Sequence, residues 1–493
     1  MGVIQRQGIK SAALNYVGIL VGAMSVVWIY PQALAEYGLV TFLTEMAIIL
    51  GVIAQGCLHV VVAKFFPHFK DEERGHKGIL LLAWLANLVG FAFFGILVAI
   101  FWRPIADFYS SKEGFEPSHI FYLYIFSYLT GQIYLLSQYC AAFKRVVIAA
   151  LVDLLMRIAR PALIGLFVLQ VVDVHWLLIG VLVSYLGAVL VLLAYIWHMR
   201  QWHWAWDTSA LNGTLLRSMG KYSLTTTLIT LAAFLALQLD RITVPSLLTF
   251  EENGVYGIAL FVANLVAVPM ISLGAIALPV VVDHFSAQRM EEVQKIYEKT
   301  AGVLCVAGVF IFLGVMLNVD DLFRFTPRYE VLRTGFWAVF WLALARVIDG
   351  LGGVSRVILD YSDAYIWSLW LMLLSIAANV ALTFWLLPLY GLEGIAIAAA
   401  VATMLYTALR VIVLYRIYGL FPLQTRYLWA FAWGALVFAA LYALPLPFSP
   451  LPNMCLRSAL LVLLFVPPML YWQVSPDVHE VALKFWRKWA RKG

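Results

Sequence analysis

Charged side chains are what this chain has least of. Its 33 Lys and Arg and 27 Asp and Glu make 12% of 493 residues, about half of the ~25% usual in soluble domains. With 63% of the residues hydrophobic, a water-soluble globular fold is excluded and an integral membrane protein is implied. Cysteine is scarce as well. Cys57, Cys140, Cys305 and Cys455 have no paired spacing, which excludes a disulfide framework or a cysteine metal site. Three of the four fall in apolar runs, and they read as core residues. There is no Gly-x-x-x-x-Gly-Lys-Ser/Thr run, so ATP is not the direct driver of anything this chain does. No metal-ligand cluster stands out, nor a nucleophile with a base at motif spacing; neither an enzyme nor a cofactor is expected. Long polar stretches are missing too, which excludes a large soluble domain. Runs of about ten alternating residues, the mark of a membrane β-barrel, do not occur.

What the chain has is apolar segments of spanning length, each near the ~20 residues a bilayer needs. They cover about 11–32, 38–63, 79–101, 118–140, 146–170, 177–197, 219–247, 254–281, 300–318, 332–357, 365–388, 392–415, 428–446 and 456–473. The expectation is an all-α polytopic membrane protein of about fourteen transmembrane helices. Arg6 and Lys10 before the first run, and Ala33-Leu34-Ala35 after it, imitate a signal peptide. That run exceeds the apolar core of such peptides and has a counterpart later, so it is kept as a span. The 18 Trp suit anchors at both interfaces.

Basic residues are uneven across alternate links. Lys64, Lys70, Arg74, Lys77, Lys144, Arg145, Arg200, Arg217, Lys221, Arg289, Lys295, Lys299, Arg416 and Arg426 fall on one side. Arg103, Lys112, Arg324, Arg328, Arg333 and Arg457 fall on the other. The positive-inside rule puts both termini in the cytoplasm. At the end of the chain, Val481, Leu483, Phe485, Trp486 and Trp489 stand among five basic residues. That composition suits an amphipathic helix on an anionic leaflet.

The sequence also echoes itself. Tyr37-Gly38-Leu39-Val40, then Phe42, resembles Tyr256-Gly257-Ile258-Ala259, then Phe261. Pro31 and Pro245 end the preceding helices, and Arg6 to Lys10 matches Arg217 to Lys221. This predicts a six-helix lobe over 1–200, a second over 201–426, two additional helices over 427–473 and the basic tail over 474–493. Lobes of six helices share one orientation, related by a pseudo-two-fold along the membrane normal, with a substrate site between them near the midplane.

Within the spans, a few charges stand out. Asp153-Leu-Leu-Met-Arg157-Ile-Ala-Arg160-Pro161 occupies the middle of the fifth. Arg157 and Arg160 are three apart and leave the same helix face, near the midplane. An arginine there costs roughly 2.5–3.5 kcal/mol on insertion scales unless it faces protein or a wet cavity. One carboxylate cannot cover both, which points to a cationic cavity for an anion; the plainer alternative is a structural pair between Asp153 and Arg157. Glu45 in the second span, matched by Asn264 in the repeat, is a candidate ion or proton site or a hydrogen bond to a neighbouring helix. Asp240-Arg241 closes the seventh span and reads as an outer-interface ion-pair element. Arg346 and Asp349 in the tenth share a face. Either they neutralise each other or Arg346 faces the cavity, beside Gly350, Gly352 and Gly353, which soften that helix. His59 reads as a satisfied core histidine. Arginine near the midplane favours phosphate oxygens, which a guanidinium grips in bidentate geometry, so a pyrophosphate head group fits.

Several short runs, in order, resemble one family. They are Arg6-Gln7-Gly8-Ile9-Lys10-Ser11, Glu36-Tyr37-Gly38-Leu39, Leu239-Asp240-Arg241-Ile242, the run from Asn253 to Ala259, and the link from Leu386 to Ala396. The chain resembles the bacterial polysaccharide biosynthesis transporters, the lipid-linked oligosaccharide flippases of the multidrug/oligosaccharidyl-lipid/polysaccharide superfamily. The resemblance implies a flippase of the bacterial inner membrane that turns a polyprenyl-diphosphate-linked oligosaccharide from the cytoplasmic to the outer face by alternating access. Ion or proton coupling, a cationic cavity supplied here by Arg157, Arg160 and Arg346, and polysaccharide polymerase or glycosyltransferase partners come with it. The lipid II flippases, a sister group, carry basic residues in the first, second and eighth helices. This chain has only Glu45, His59 and Asn264 inside the second and eighth, which argues against that substrate. The alternatives are a cation-coupled multidrug exporter of the same superfamily, and a membrane glycosyltransferase or polymerase, which would need a substantial outer loop.

Overall fold

Each of the fourteen expected crossings is met by a helix, or by a helix broken along its length. A computed structural model describes residues 3–71, 75–110, 112, 114–202, 212–444, 449–477 and 479; the amphipathic helix expected near the C-terminus lies outside them. No strand occurs among the described residues. A chain in lipid must close its backbone hydrogen bonds within each segment, and helices do so. Among the described residues, ten helical stretches are long and apolar enough to cross a membrane. The chain forms two compact units, dividing between Gly254 and Val255.

The first unit opens with α1 (Val3–Trp28), a short turn of 3-10 helix at Tyr30–Gln32, and α2 (Leu34–Gln55). There follow α3 (Leu58–Phe69), α4 (Ile79–Ile100), α5 (Trp102–Ser110), α6 (Ser118–Ala142), α7 (Val147–Val168), α8 (Val174–His198), α9 (Gly213–Gln238) and α10 (Asp240–Leu247). The centre is α2, which packs on α6 and also meets α4, α9 and α10. Its buried face carries Leu39, Phe42, Leu43 and Ala47. The second crossing is α2 and α3 together, interrupted where Gly56 and Cys57 both turn left-handed at φ +59° and +51°. The Ser223 hydroxyl of α9 donates to the carbonyl of Gly56 at 2.5 Å. That bond satisfies an acceptor which would otherwise be stranded in an apolar medium.

The division falls within α11 (Phe250–Asn264). The second unit continues with α12 (Val268–Ser286), α13 (Met290–Arg324), α14 (Tyr329–Arg333), α15 (Phe336–Leu351) and α16 (Ser355–Tyr361). It ends with α17 (Ile366–Tyr390), α18 (Leu392–Tyr418), α19 (Tyr427–Tyr442) and α20 (Pro450–Tyr471). The long α13 packs against α12, α15, α19 and α20, and α15 and α17 both pack on α18. The tenth crossing breaks between α15 and α16, at the glycines that softened it in sequence. Gly353 has φ +49°, and a Cβ there would lie 2.9 Å from Thr300 Oγ1 and 3.1 Å from the Ala301 nitrogen. Only glycine fits that bend without strain.

Cys57, Cys140 and Cys305 are buried as expected, but Cys455 is exposed on α20. Cys455 stands just before the last apolar run and is not one of the three that the sequence places in the core.

Candidate functional site

The α7 segment is helical although it holds three charges and a proline. Its apolar positions Ile148, Val152, Leu154 and Ile164 are buried, and the charges take other directions. Pro161 has no N–H to give to the carbonyl of Arg157, four residues earlier, so the helix is weakest where the charges cluster.

Arg157 donates from Nε to Asp153 Oδ2 at 2.8 Å. Their side chains are 48% and 43% exposed, so the pair stays open to a ligand. The stem of Arg157 crosses α1 at Gly18, where a Cβ would stand 2.9 Å from Arg157 Cδ. Gly18 is therefore a small-residue saddle for the arginine. Arg160 is set deeper: its Nη2 donates to Thr44 Oγ1 on α2 at 3.2 Å. Tyr30, Tyr37, Tyr185 and Glu45 lie within its electrostatic reach. The three tyrosines are buried, and Tyr30 and Tyr37 stack with centroids 4.0 Å apart.

The residue after Thr44 closes the other side of the site. Glu45 pairs with Arg241 of α10, with both side chains largely buried. The pair joins α2 to α10. Asp240 is buried at the start of α10. Five of the charged residues singled out in sequence thus lie in the first unit in two ion pairs and one arginine held by a hydroxyl, all but Asp153 and Arg157 linked through α2. His59 shares a hydrogen bond with Gln55 at 3.1 Å, and Gln55 donates to the Gly131 carbonyl at 2.9 Å.

In the second unit, Arg346 lies within electrostatic reach of Asp349 but bonds elsewhere. Arg346 Nε donates to Asn264 Oδ1 at 3.1 Å. Asp349 accepts from Arg410 Nη2 at 2.9 Å and from Thr407 Oγ1 at 2.7 Å. Arg410 also donates from Nε to Ser355 Oγ at 2.8 Å and lies over the Tyr406 ring at 4.9 Å. Arg410 was missed in sequence. The signal was present: an arginine inside the run 392–415, three residues after Thr407 and so on its face.

Chemically, the α7 site offers one open guanidinium, a second held in place beside it, and a single carboxylate. Such an arrangement can receive an anion.

No sequence family and no curated protein matches the chain. Solved structures do. One is the lipid II flippase MurJ in an inward closed conformation, at TM-score 0.67 and 13% identity, covering 94% of this chain and 99% of that one. A second is a multidrug resistance MATE family transporter of the MOP superfamily, inward-facing, at TM-score 0.63 and 16% identity, covering 86% and 95%. A third is a MOP superfamily transporter from Pyrococcus furiosus, described as having a binding pocket of reversed polarity, at TM-score 0.50 and 16% identity, covering 89% and 96%. The chain is a multi-pass membrane protein, helical among its described residues, with the fold that these structures share.

Proposed function

We propose that this protein is a flippase for a polyprenyl-diphosphate-linked oligosaccharide, a precursor of cell-surface polysaccharide. It would turn its substrate from the cytoplasmic to the outer face of the bacterial inner membrane by alternating access, with both termini in the cytoplasm. The observation that carries this reading is Arg157 and Arg160 on one helix, α7, with Asp153 as the single carboxylate bonded to either. Guanidinium groups match phosphate oxygens two by two, and a charge kept inside a membrane span is a functional feature by default. Arg346, held by the neutral Asn264 rather than by a carboxylate, is a further cationic group for the head group. Glu45, Asp153, Asp240, Arg241 and Asp349 are proposed to serve ion coupling or gating, and the partners are membrane lipids and the polymerase or glycosyltransferases of the same polysaccharide.

The second reading is a cation-coupled multidrug exporter, favoured by the likeness in fold to a multidrug resistance transporter. Against it, the interior carboxylates Glu45 and Asp349 are each engaged by an arginine, leaving little negative charge for a cationic drug.

Binding of a polyprenyl-diphosphate sugar to purified protein tests the proposal, beside the Arg157→Ala/Arg160→Ala double variant at matched thermal unfolding. Specific binding that falls by at least about tenfold in the variant supports the flippase; such a loss is on the scale of a charge-assisted bond. Equal binding would make the α7 cluster structural. Failure of both proteins to bind would favour the exporter.

A further inference from the structure

The α7 helix contributes two guanidinium groups and one carboxylate, so the net charge it supplies is only half of what its arginines supply; Glu45, within reach of Arg160, is balanced by Arg241. Asp153 Oδ2 accepts a hydrogen bond from Arg157 Nε. Among the described residues the terminal nitrogens of Arg157 make no further hydrogen bond, on a side chain 48% exposed. The carboxylate thus orients the guanidinium plane and leaves its outer edge to a ligand. Gly18 supports the stem from beneath, and Thr44 fixes Arg160 one turn away.

A site in a bilayer is surrounded by anionic phospholipids, each bearing a single phosphodiester charge in the commonest cases. Two bare arginines would be a trap for them. With Asp153 in place, a head group with one phosphate meets one net positive charge and a carboxylate beside the fork it approaches. A head group with two phosphates can place one on each arginine, and its second charge outweighs the repulsion. We infer that Asp153 is a specificity-determining residue: it keeps single-phosphate lipids out and reserves the Arg157–Arg160 pair for a head group carrying two phosphates. This rests on the reading of the α7 site as a diphosphate-lipid site.

The test measures binding of phosphatidylglycerol and of a polyprenyl diphosphate to the purified full chain. It compares the wild type with Asp153→Asn, Asp153→Glu and Asp153→Asn/Arg157→Gln, all checked for equal thermal unfolding. Asp153→Asn should tighten phosphatidylglycerol by about fivefold and the diphosphate by less than about twofold, the range of a partly exposed ion pair. Asp153→Glu should restore the discrimination, and the gain should vanish once Arg157 is Gln. Equal tightening for both lipids, or no change in either, would overturn the inference. The two readings fail separately. A wild type that holds no diphosphate lipid, together with an Asp153→Asn variant that takes up phosphatidylglycerol, sinks the flippase and leaves the exclusion of single phosphates standing. A wild type that prefers the diphosphate, and an Asp153→Asn variant that keeps the preference, does the reverse.

Discussion

Asp349 and Arg410 illustrate why a charge inside a span has to be traced to its partner before a role is assigned to it. Arg346 and Asp349 stand three positions apart in the sequence, yet the carboxylate turns to α18. There Arg410 and Thr407 reach it from one helix face, and Arg410, 3% exposed, is further tied to Ser355. Removing one member of a buried pair leaves the other uncompensated, which costs about 3–5 kcal/mol, whereas replacing both by apolar groups is often neutral. Arg410→Met should therefore lower the thermal unfolding midpoint in detergent sharply. Asp349→Leu/Arg410→Met should recover most of the loss. A double variant as unstable as the single one would mean that the pair contributes more than mutual neutralisation.

At the level of elements, the crossings were legible and their interruptions were not. Run length sets the number of helices because a bilayer imposes one length on all of them. A break needs only one or two residues and leaves little trace in hydropathy. The tenth crossing is the exception, since Gly350, Gly352 and Gly353 announced a soft helix, and Gly353 proved to be the residue that bends. The Gly56–Cys57 break had one glycine as its only sign, and the serine that satisfies it comes from α9, far along the sequence. Gly353→Ala should destabilise the protein by more than the ~1–2 kcal/mol of a left-handed backbone, because its Cβ also meets Thr300. Gly187 of α8, with nothing within 4 Å of its Cβ position, is the control. Gly187→Ala should be neutral or stabilising by up to ~1 kcal/mol. Thermal unfolding of the two side by side decides it, and similar losses in both would contradict the steric account of the bend.

For the molecule as a whole, fold class followed from scarcity of charge, and the α7 arginines stood out for the same reason: in an apolar run each charge is an energetic anomaly. What holds them could not be read. Gly18, Thr44 and the buried tyrosines become neighbours of α7 only through packing, and each is an ordinary residue where it stands in sequence. The break in the second crossing carries one more consequence. Cys57 forms it, is fully buried, and is a free thiol, while Cys455 alone among the four cysteines is exposed. The chain thus contains its own chemical clock. N-ethylmaleimide should add one label per molecule at rest, at Cys455. During transport a second should accumulate, absent from a Cys57→Ala variant, at the rate at which the interrupted helix opens; intact mass spectrometry that finds a single adduct throughout turnover would mean the break stays shut while the substrate crosses.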